Sequence, residues 1–255
     1  MKTVLITGAS RGIGKEFADI FAKQGFNLIL VARNTEMLEQ LLDKYEKKYD
    51  IRVTVFSVDL SQPNTAAEIY SEIQNRKIDV DIVINNAGIG EHGEFIDSDL
   101  SKIRNMINLN ILTLTELTYL FAKNMRAKNK GKILNIASTA SFQPVPRFAV
   151  YAATKSYVLN FTEALSYELK DTDVSASTLC PGPTATGFKK SANIKESKLF
   201  NGKLMDAKFV AKIGYESLMK GNMTIIPGFK NKLLAFFSKI TPSRNLLVWI
   251  SGKIS

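Results

Sequence analysis

The chain has 255 residues, 45% of them hydrophobic and 23% charged, a balance that suits one sizeable globular domain and excludes a disordered chain. A single cysteine rules out an internal disulfide and suits a reducing compartment, and no apolar run approaches the roughly 18 residues that a bilayer span requires. The net charge of +10 is unevenly placed: residues 1–128 carry 16 basic and 17 acidic side chains, whereas residues 189–255 carry 13 basic and 3 acidic.

The N-terminal residues enter an apolar β-rich run at once, without the apolar stretch or small-residue cleavage site of a signal peptide, so the expected location is cytoplasmic. Strands are predicted over residues 3–7, 27–32, 53–58, 82–85, 132–137, 174–179 and 223–226, with segments of helical period between them, such as 12–24, 35–49 and 151–170. This alternation predicts an α/β fold, a single doubly wound Rossmann domain with a seven-stranded parallel sheet flanked by helices. This domain is expected to span residues 1–228. Within it residues 186–205 are too long for a simple connection and are a candidate lid, and residues 229–255 read as a basic amphipathic extension.

The segment Thr7-Gly8-Ala9-Ser10-Arg11-Gly12-Ile13-Gly14 follows the first strand and opens a helix, where backbone N–H groups can meet a pyrophosphate. A turn that binds nothing has no need of three glycines at a helix start. The spacing Gly-x-x-x-Gly-x-Gly resembles that of the classical short-chain dehydrogenase/reductase family. After the second strand comes Val31-Ala32-Arg33-Asn34, which offers no carboxylate to a ribose 2′-hydroxyl. Arg33 and Arg11 can instead pair with a 2′-phosphate, a combination that resembles the family's NADP-binding members and makes NADP(H) the expected cofactor.

The resemblance implies that Gly8, Ser10, Arg11, Gly12, Ile13 and Gly14 form the phosphate loop, and that Asp59 and Leu60 border the adenine. Asp59 taken alone reads equally well as a cap for the helix that follows. By the same resemblance Asn86, Ala87 and Gly88 border the cofactor, as do Tyr151 and Lys155. Pro181, Gly182 and Thr184 fix the nicotinamide carboxamide, and Thr186 reaches the phosphates.

Tyr151 and Lys155 stand at i and i+4 and share a helix face. The spacing alone decides nothing, because Tyr119 and Lys123 repeat it in a segment whose Leu117, Leu120 and Phe121 read as a core face. The difference lies upstream. Ser138 stands 13 positions before Tyr151 (151 − 138) at a strand end, where parallel sheets bind ligands, whereas the same offset from Tyr119 gives Met106, which donates no hydrogen bond. A free tyrosine has a pKa of about 10 and exchanges protons poorly at neutral pH unless positive charge stabilises its phenolate, a charge that Lys155 is placed to supply.

Ser138, Tyr151 and Lys155 match the family's catalytic serine, tyrosine and lysine. Asn108 matches the fourth member, since it precedes Leu109 as the family's asparagine precedes a leucine; Asn110, followed by Ile111, is the competitor. What this implies is an NADPH-dependent oxidoreductase acting on a ketone or secondary alcohol. Tyr151 would protonate the carbonyl oxygen, Ser138 would hydrogen-bond it, and Asn108 would hold a water that relays protons to Lys155. The alternative is a catalytically silent dinucleotide sensor, against which the intact Ser138, Tyr151 and Lys155 speak.

Cys180 reads as a small packed residue, and His92, without a second metal ligand beside it, as an exposed loop residue. The family resemblance implies a small-molecule carbonyl or alcohol substrate and a homo-oligomer, dimer or tetramer. No nucleic-acid-binding module accompanies the basic tail, so nucleic acid is not an expected partner. In that tail Phe229, Leu233, Phe236, Phe237 and Ile240 fall in one arc of a helix, the run Leu246-Leu247-Val248-Trp249-Ile250 follows Pro242, and no acidic residue occurs beyond Glu216. Two readings stay open. The tail packs over the substrate pocket or against another subunit, or it rests on an anionic membrane or an acidic carrier protein.

Overall fold

The structure, a computed structural model, describes residues 1–194, 197 and 200–254. Of the expected lid, residues 195, 196, 198 and 199 therefore lie outside the described residues, as does residue 255 of the extension. The strands are β1 (Thr3–Thr7), β2 (Asn27–Ala32), β3 (Val53–Ser57), β4 (Ile82–Asn85), β5 (Gly131–Ile136), β6 (Val174–Leu179) and β7 (Thr224–Ile225). The helices are α1 (Gly12–Lys23), α2 (Thr35–Lys48), α3 (Thr65–Asn75), α4 (Leu100–Ile107), α5 (Leu114–Ala127), α6 (Ala149–Glu168), α7 (Phe188–Ser191), α8 (Ala207–Met219), α9 (Phe229–Ile240) and α10 (Arg244–Ile254).

All seven strands run parallel in the order β3-β2-β1-β4-β5-β6-β7. The chain begins in the middle, builds outward through β2 and β3, then returns beside β1 and builds the other way. The boundary between β1 and β4 is thus the topological switch point, at whose carboxyl-terminal edge ligands bind in open α/β sheets. The expected Rossmann sheet is present; β7 is shorter than predicted because, at the edge, it pairs with β6 alone.

Strand residues alternate between two cores. Val4, Ile6, Leu28 and Leu30 pack with Phe17 and Phe21 of α1, Leu38 of α2 and Val210 of α8. Leu5, Ile29, Val31 and Val83 pack on the opposite face with Ile69 and Ile73 of α3 and Leu117 and Phe121 of α5. With both faces covered, the inner strands read as unbroken apolar runs, and each large side chain so buried contributes about 1.5–3 kcal/mol.

Buried polar residues interrupt this pattern, among them Thr7 of β1, Ser177 and Thr178 of β6, and a connected group at β4 and β5. Asn85 Nδ2 donates to Asn135 Oδ1 at 2.9 Å and to Thr118 Oγ1 at 3.0 Å, and Asn135 Nδ2 donates to Thr162 Oγ1 at 2.9 Å. The four side chains are buried, and together they tie β4 and β5 to α5 and α6. Between α4 and α5 the helix does not break. Residues Asn108–Thr113 form a π turn, a wider coil that shifts which side chains face inward and recurs at functional sites.

The C-terminal segment packs over the cleft, as one of the two readings has it, but not through its apolar arc. α9 lies over the carboxyl-terminal edge of the sheet with Asn231, Leu234, Ala235 and Ser238 turned inward, while the apolar arc from Phe229 to Ile240 stands outward. Close approach explains the inversion. A side chain at Gly182 would begin 2.7 Å from Asn231 Nδ2, and Ser238 Oγ donates to Gln143 Oε1 at 2.8 Å, so at these two points the helix approaches closely and is met by polar side chains. α10 follows, anchored by Ser251 Oγ donating to the Pro144 carbonyl at 2.6 Å and by buried Leu247.

Because Asn135 is the hub of the buried amide network, Asn135→Ala leaves partners unpaired in a dry core and is expected to destabilise the protein by about 1–3 kcal/mol per group orphaned. Urea unfolding monitored by circular dichroism checks this; an unchanged midpoint would show that the network carries no stability.

Candidate active site

The glycine loop is shaped by contacts that admit no side chain. Gly8 and Gly12 adopt φ of +65° and +57°, and a Cβ at Gly14 would stand 2.3 Å from the Gly8 carbonyl oxygen and 2.5 Å from Asn86 Nδ2. The loop is latched to the end of β4. Thr7 Oγ1 accepts from the backbone N–H of both Asn86 and Ala87 at 2.9 Å, and Asn86 Nδ2 donates to the carbonyls of Thr7 and Gly8 at 2.9 and 3.2 Å. Arg11, at the start of α1, caps none of its N–H groups with a side chain, which leaves the first turn at Gly12 and Ile13 suited to an anion.

A cleft of about 330 Å³ runs along the carboxyl-terminal edge. All but one of the residues expected at the cofactor line it: Gly8, Ser10, Arg11, Gly12, Ile13, Arg33, Asp59, Leu60, Asn86, Ala87, Gly88, Tyr151, Lys155, Pro181, Gly182, Thr184 and Thr186. Gly14 does not; it lies beneath Gly8 and permits the loop to close. At the β2 end Arg33 is exposed and sits 3.9 Å from the Asp59 carboxylate, an ion pair worth little at that exposure. Asp59 does not cap α3, whose N-cap is Asn64. Its Oδ1 instead accepts from Ser61 N and Oγ at 3.0 and 2.8 Å.

At the other end Ser138, Tyr151 and Lys155 come together. Ser138 caps a tight turn over Thr139–Phe142: its Oγ accepts from Ala140 N at 3.1 Å, and its own N–H donates to Ser141 Oγ at 3.3 Å. The hydroxyl is thereby held in place with its proton left to donate. Lys155 is buried, and its Nζ donates to the Ile136 carbonyl at 2.8 Å and lies 5.9 Å from the centre of the Tyr151 ring. Burial lowers the Lys155 ammonium to about 8, with a small opposing effect from Cys180. Burial raises the Tyr151 hydroxyl to about 12, and the Ser138 hydroxyl beside it acts the other way. Cys180 is fully buried and its thiol is likewise pushed up to about 12 by burial, so it is a packed neutral residue.

The structure places the two candidate asparagines in different surroundings. Asn108 lies outside the cleft, its amide reaching only the Ser61 carbonyl at 3.5 Å. Asn110 is fully buried; it donates to the Ile89 carbonyl at 2.9 Å and to Thr154 Oγ1 at 3.1 Å, and accepts from Ile89 N at 3.0 Å. A side chain at Gly88 would meet Lys155 Nζ at 3.2 Å and Asn110 Oδ1 at 3.3 Å, so these groups flank one glycine. A signal for this was present: Met106, Asn110, Leu114, Leu117 and Phe121 follow one helical stripe, on which Asn110 is a polar residue at a core position.

Sequence reasoning also missed the aromatic wall. The Tyr151 ring lies 5.2 Å from Phe188 and 6.0 Å from Phe148, and Phe188 stacks on Phe200 at 6.4 Å. Phe188 and Phe200 belong to the expected lid, whose ends are joined by Ala185 N donating to Met205 O at 2.8 Å and Met205 N to Pro183 O at 2.9 Å. Gly90 makes room, since a side chain there would begin 2.6 Å from Phe188 Cζ. His92 is not an exposed loop residue. Its ring packs 4.8 Å from Phe148, its backbone N–H donates to the Ala192 carbonyl at 3.0 Å, and burial lowers its pKa.

A glycine loop and a serine–tyrosine–lysine cluster facing one cleft across the switch point define the class, a dinucleotide-binding Rossmann oxidoreductase. The family model described as short chain dehydrogenase matches residues 2–197, and the chain belongs to that family. Very-long-chain 3-oxoacyl-CoA reductase-B of Danio rerio is 32% identical over 196 residues, 74% of this chain and 61% of the reductase, so the chain spans about three fifths of that relative's length. 17-beta-hydroxysteroid dehydrogenase type 3 of Mus musculus is 30% identical over 218 residues, 84% of this chain and 70% of that protein. Among solved structures, a short-chain dehydrogenase from Sphingobium yanoikuyae in complex with NADPH aligns with a TM-score of 0.86 and 28% identity over 97% of this chain and 95% of that one.

The different surroundings of the two asparagines give opposite expectations for their removal. Asn110→Ala is expected to lower kcat at least about tenfold, because the Ile89 segment beside Lys155 loses its anchor, while Asn108→Ala stays within about twofold of wild type. Steady-state kinetics of both variants with one ketone check this; the reverse ranking would restore Asn108.

Proposed function

We propose that this protein is an NADPH-dependent carbonyl reductase, reversible as an alcohol dehydrogenase, for a ketone or secondary alcohol carried on a large apolar body. The observation that carries the reading is Tyr151, which faces the cleft beside Ser138, stands over buried Lys155, and is walled by Phe148 and Phe188. The cleft fits a nicotinamide dinucleotide. Gly8, Ser10, Gly12 and Ile13 would hold the pyrophosphate, Arg11 and Arg33 the 2′-phosphate, and Asp59 and Leu60 the adenine. The nicotinamide end falls to Asn86, Ala87, Gly88, Pro181, Gly182, Thr184 and Thr186. Bound there, the cofactor supplies the hydride in reduction and accepts it in oxidation.

The side chains handle the proton. Tyr151, raised to about 12, keeps its hydroxyl protonated at neutral pH, the form that protonates a carbonyl oxygen as charge develops on it. Ser138 donates a second hydrogen bond to that oxygen. As Tyr151 loses its proton, the ammonium of Lys155, lowered to about 8 and still mostly charged at pH 7, stabilises the phenolate. The proton-relay role expected of Asn108 passes to Asn110, which fixes the Ile89 backbone next to Lys155.

Val145, Phe148, Phe188, Phe200 and Leu234 give the substrate end of the cleft an apolar lining with Gln143 among them, which favours a bulky substrate. Very-long-chain 3-oxoacyl-CoA and 17-beta-hydroxysteroids, the compounds for which the two relatives are named, share that character. A homo-oligomer is supported by Ile107, Leu112, Tyr119 and Tyr157, exposed along the α4–α5 helix and α6.

The test is consumption of NADPH and of NADH with long-chain ketones, 3-oxoacyl thioesters and small ketones, for wild type and Tyr151→Phe. Wild type is expected to prefer NADPH and the bulky substrates. Tyr151→Phe is expected to lose at least about a hundredfold in turnover while its NADPH affinity, read by fluorescence titration, stays within about threefold. Turnover retained in Tyr151→Phe would contradict the mechanism, and equal use of NADH would contradict the roles of Arg11 and Arg33.

A further inference from the structure

The outward face of the C-terminal helices serves neither the core nor the cleft. Phe229, Leu233, Phe236, Phe237 and Ile240 of α9 are each between 44% and 79% exposed. Leu246, Trp249 and Ile250 of α10 are exposed as well, Trp249 by 58%. Such a concentration of large exposed apolar side chains marks an interaction surface.

Its electrostatics select the partner. At 3.6 residues per turn Lys230 lies on one flank of the α9 stripe and Lys232 on the other, with Lys239 beside Lys232 but its ammonium 5.6 Å from the Phe142 ring, while the buried side of the helix, Ala235 and Ser238, points the opposite way into the protein. An apolar stripe facing away from the body and bordered on both sides by lysines is the layout of a helix lying in a bilayer interface, its stripe among the acyl chains and its lysines at the headgroups. No acidic residue follows Glu216, so nothing in the segment opposes an anionic surface. A second copy of the chain fits less well, since a two-fold contact through this face would set lysine flanks against lysine flanks. Among the described residues no helix is long and apolar enough to cross a membrane, which restricts the contact to the surface.

We infer that α9 and α10 dock this protein on an anionic lipid bilayer. The consequence for function follows from the other side of α9, where Asn231 and Leu234 line the cleft. Docking through the outer stripe sets the mouth of the cleft beside the lipid, and a substrate with a carbonyl on a long apolar body reaches Tyr151 from the membrane. This consequence rests on the carbonyl-reductase reading; the docking itself does not.

The experiment is co-sedimentation of the full chain at low salt with vesicles of phosphatidylcholine alone or mixed with phosphatidylglycerol. It compares wild type with Phe236→Asp/Phe237→Asp and Lys230→Glu/Lys232→Glu. Wild type is expected to pellet with the anionic vesicles and remain in solution with the neutral ones. Each double variant is expected to bind at least about tenfold more weakly, with reduction of a short water-soluble ketone unchanged. Wild type remaining in solution with both vesicles, or variants pelleting as well as wild type, would overturn the inference. So would a fall in the vesicle-free sedimentation mass of the phenylalanine variant, which would make this face a subunit interface. Failure of the soluble-ketone assay in wild type would count against the proposed activity alone, because pelleting is read without turnover.

Discussion

The buried ammonium of Lys155 organises the catalytic half of the molecule. A charge taken out of water must be met by hydrogen-bond acceptors, and the Ile136 carbonyl, at the last residue of β5, supplies one at 2.8 Å. That bond fixes α6 against the end of β5. Ser141 Oγ donates to the Lys155 carbonyl at 2.8 Å, and Ser156 Oγ to the Ser141 carbonyl at 2.8 Å, so the turn that carries Ser138 is bound to the same helix. Ser138 and Tyr151 then face one point because their elements cannot shift independently. Gly88 follows from the same constraint, as any side chain there would press on Lys155 Nζ.

The cofactor half depends on a second set of contacts, the latch between Thr7 and the Asn86–Ala87 backbone, which closes the switch point between β1 and β4. The buried amides of Asn85 and Asn135 link the halves beneath the cleft. Asn85 ends β4 one residue before the latch, and Asn135 lies in β5 one residue before Ile136. The lid completes the enclosure by packing Phe188 at a tilt against Tyr151, an apolar wall that depletes water around the hydroxyl and contributes to its raised pKa.

The sheet was legible in the sequence because buried parallel strands must read as apolar runs, and the glycine loop because its backbone admits no other residue. Ser138, Tyr151 and Lys155 were legible as a spacing anchored to a strand end. Between Asn108 and Asn110 the identity of the next residue favours Asn108, whereas the helical stripe through Leu114 and Leu117 favours Asn110, the buried one. The aromatic wall was not legible, since Phe188 meets Tyr151 across 37 positions (188 − 151) with no periodic pattern joining them. On α9 the usual rule, that the most apolar arc faces the protein, failed. Beneath the helix Gly182 and Gln143 meet the polar Asn231 and Ser238, and the phenylalanines are left on the outer face.

Lys155 and Tyr151 are assigned separate titrations, and the pH dependence of reduction distinguishes them. The measurement is the single-turnover rate of carbonyl reduction with saturating NADPH from pH 6 to 11. Reduction requires Tyr151 protonated, which holds until about 12, and Lys155 charged, which holds until about 8. The rate is therefore predicted to be level up to about pH 7, to reach half its plateau near pH 8 as Lys155 loses its proton, and to be low well before Tyr151 titrates. A rate that stays level to pH 10 would show that the charge on Lys155 does not govern proton transfer.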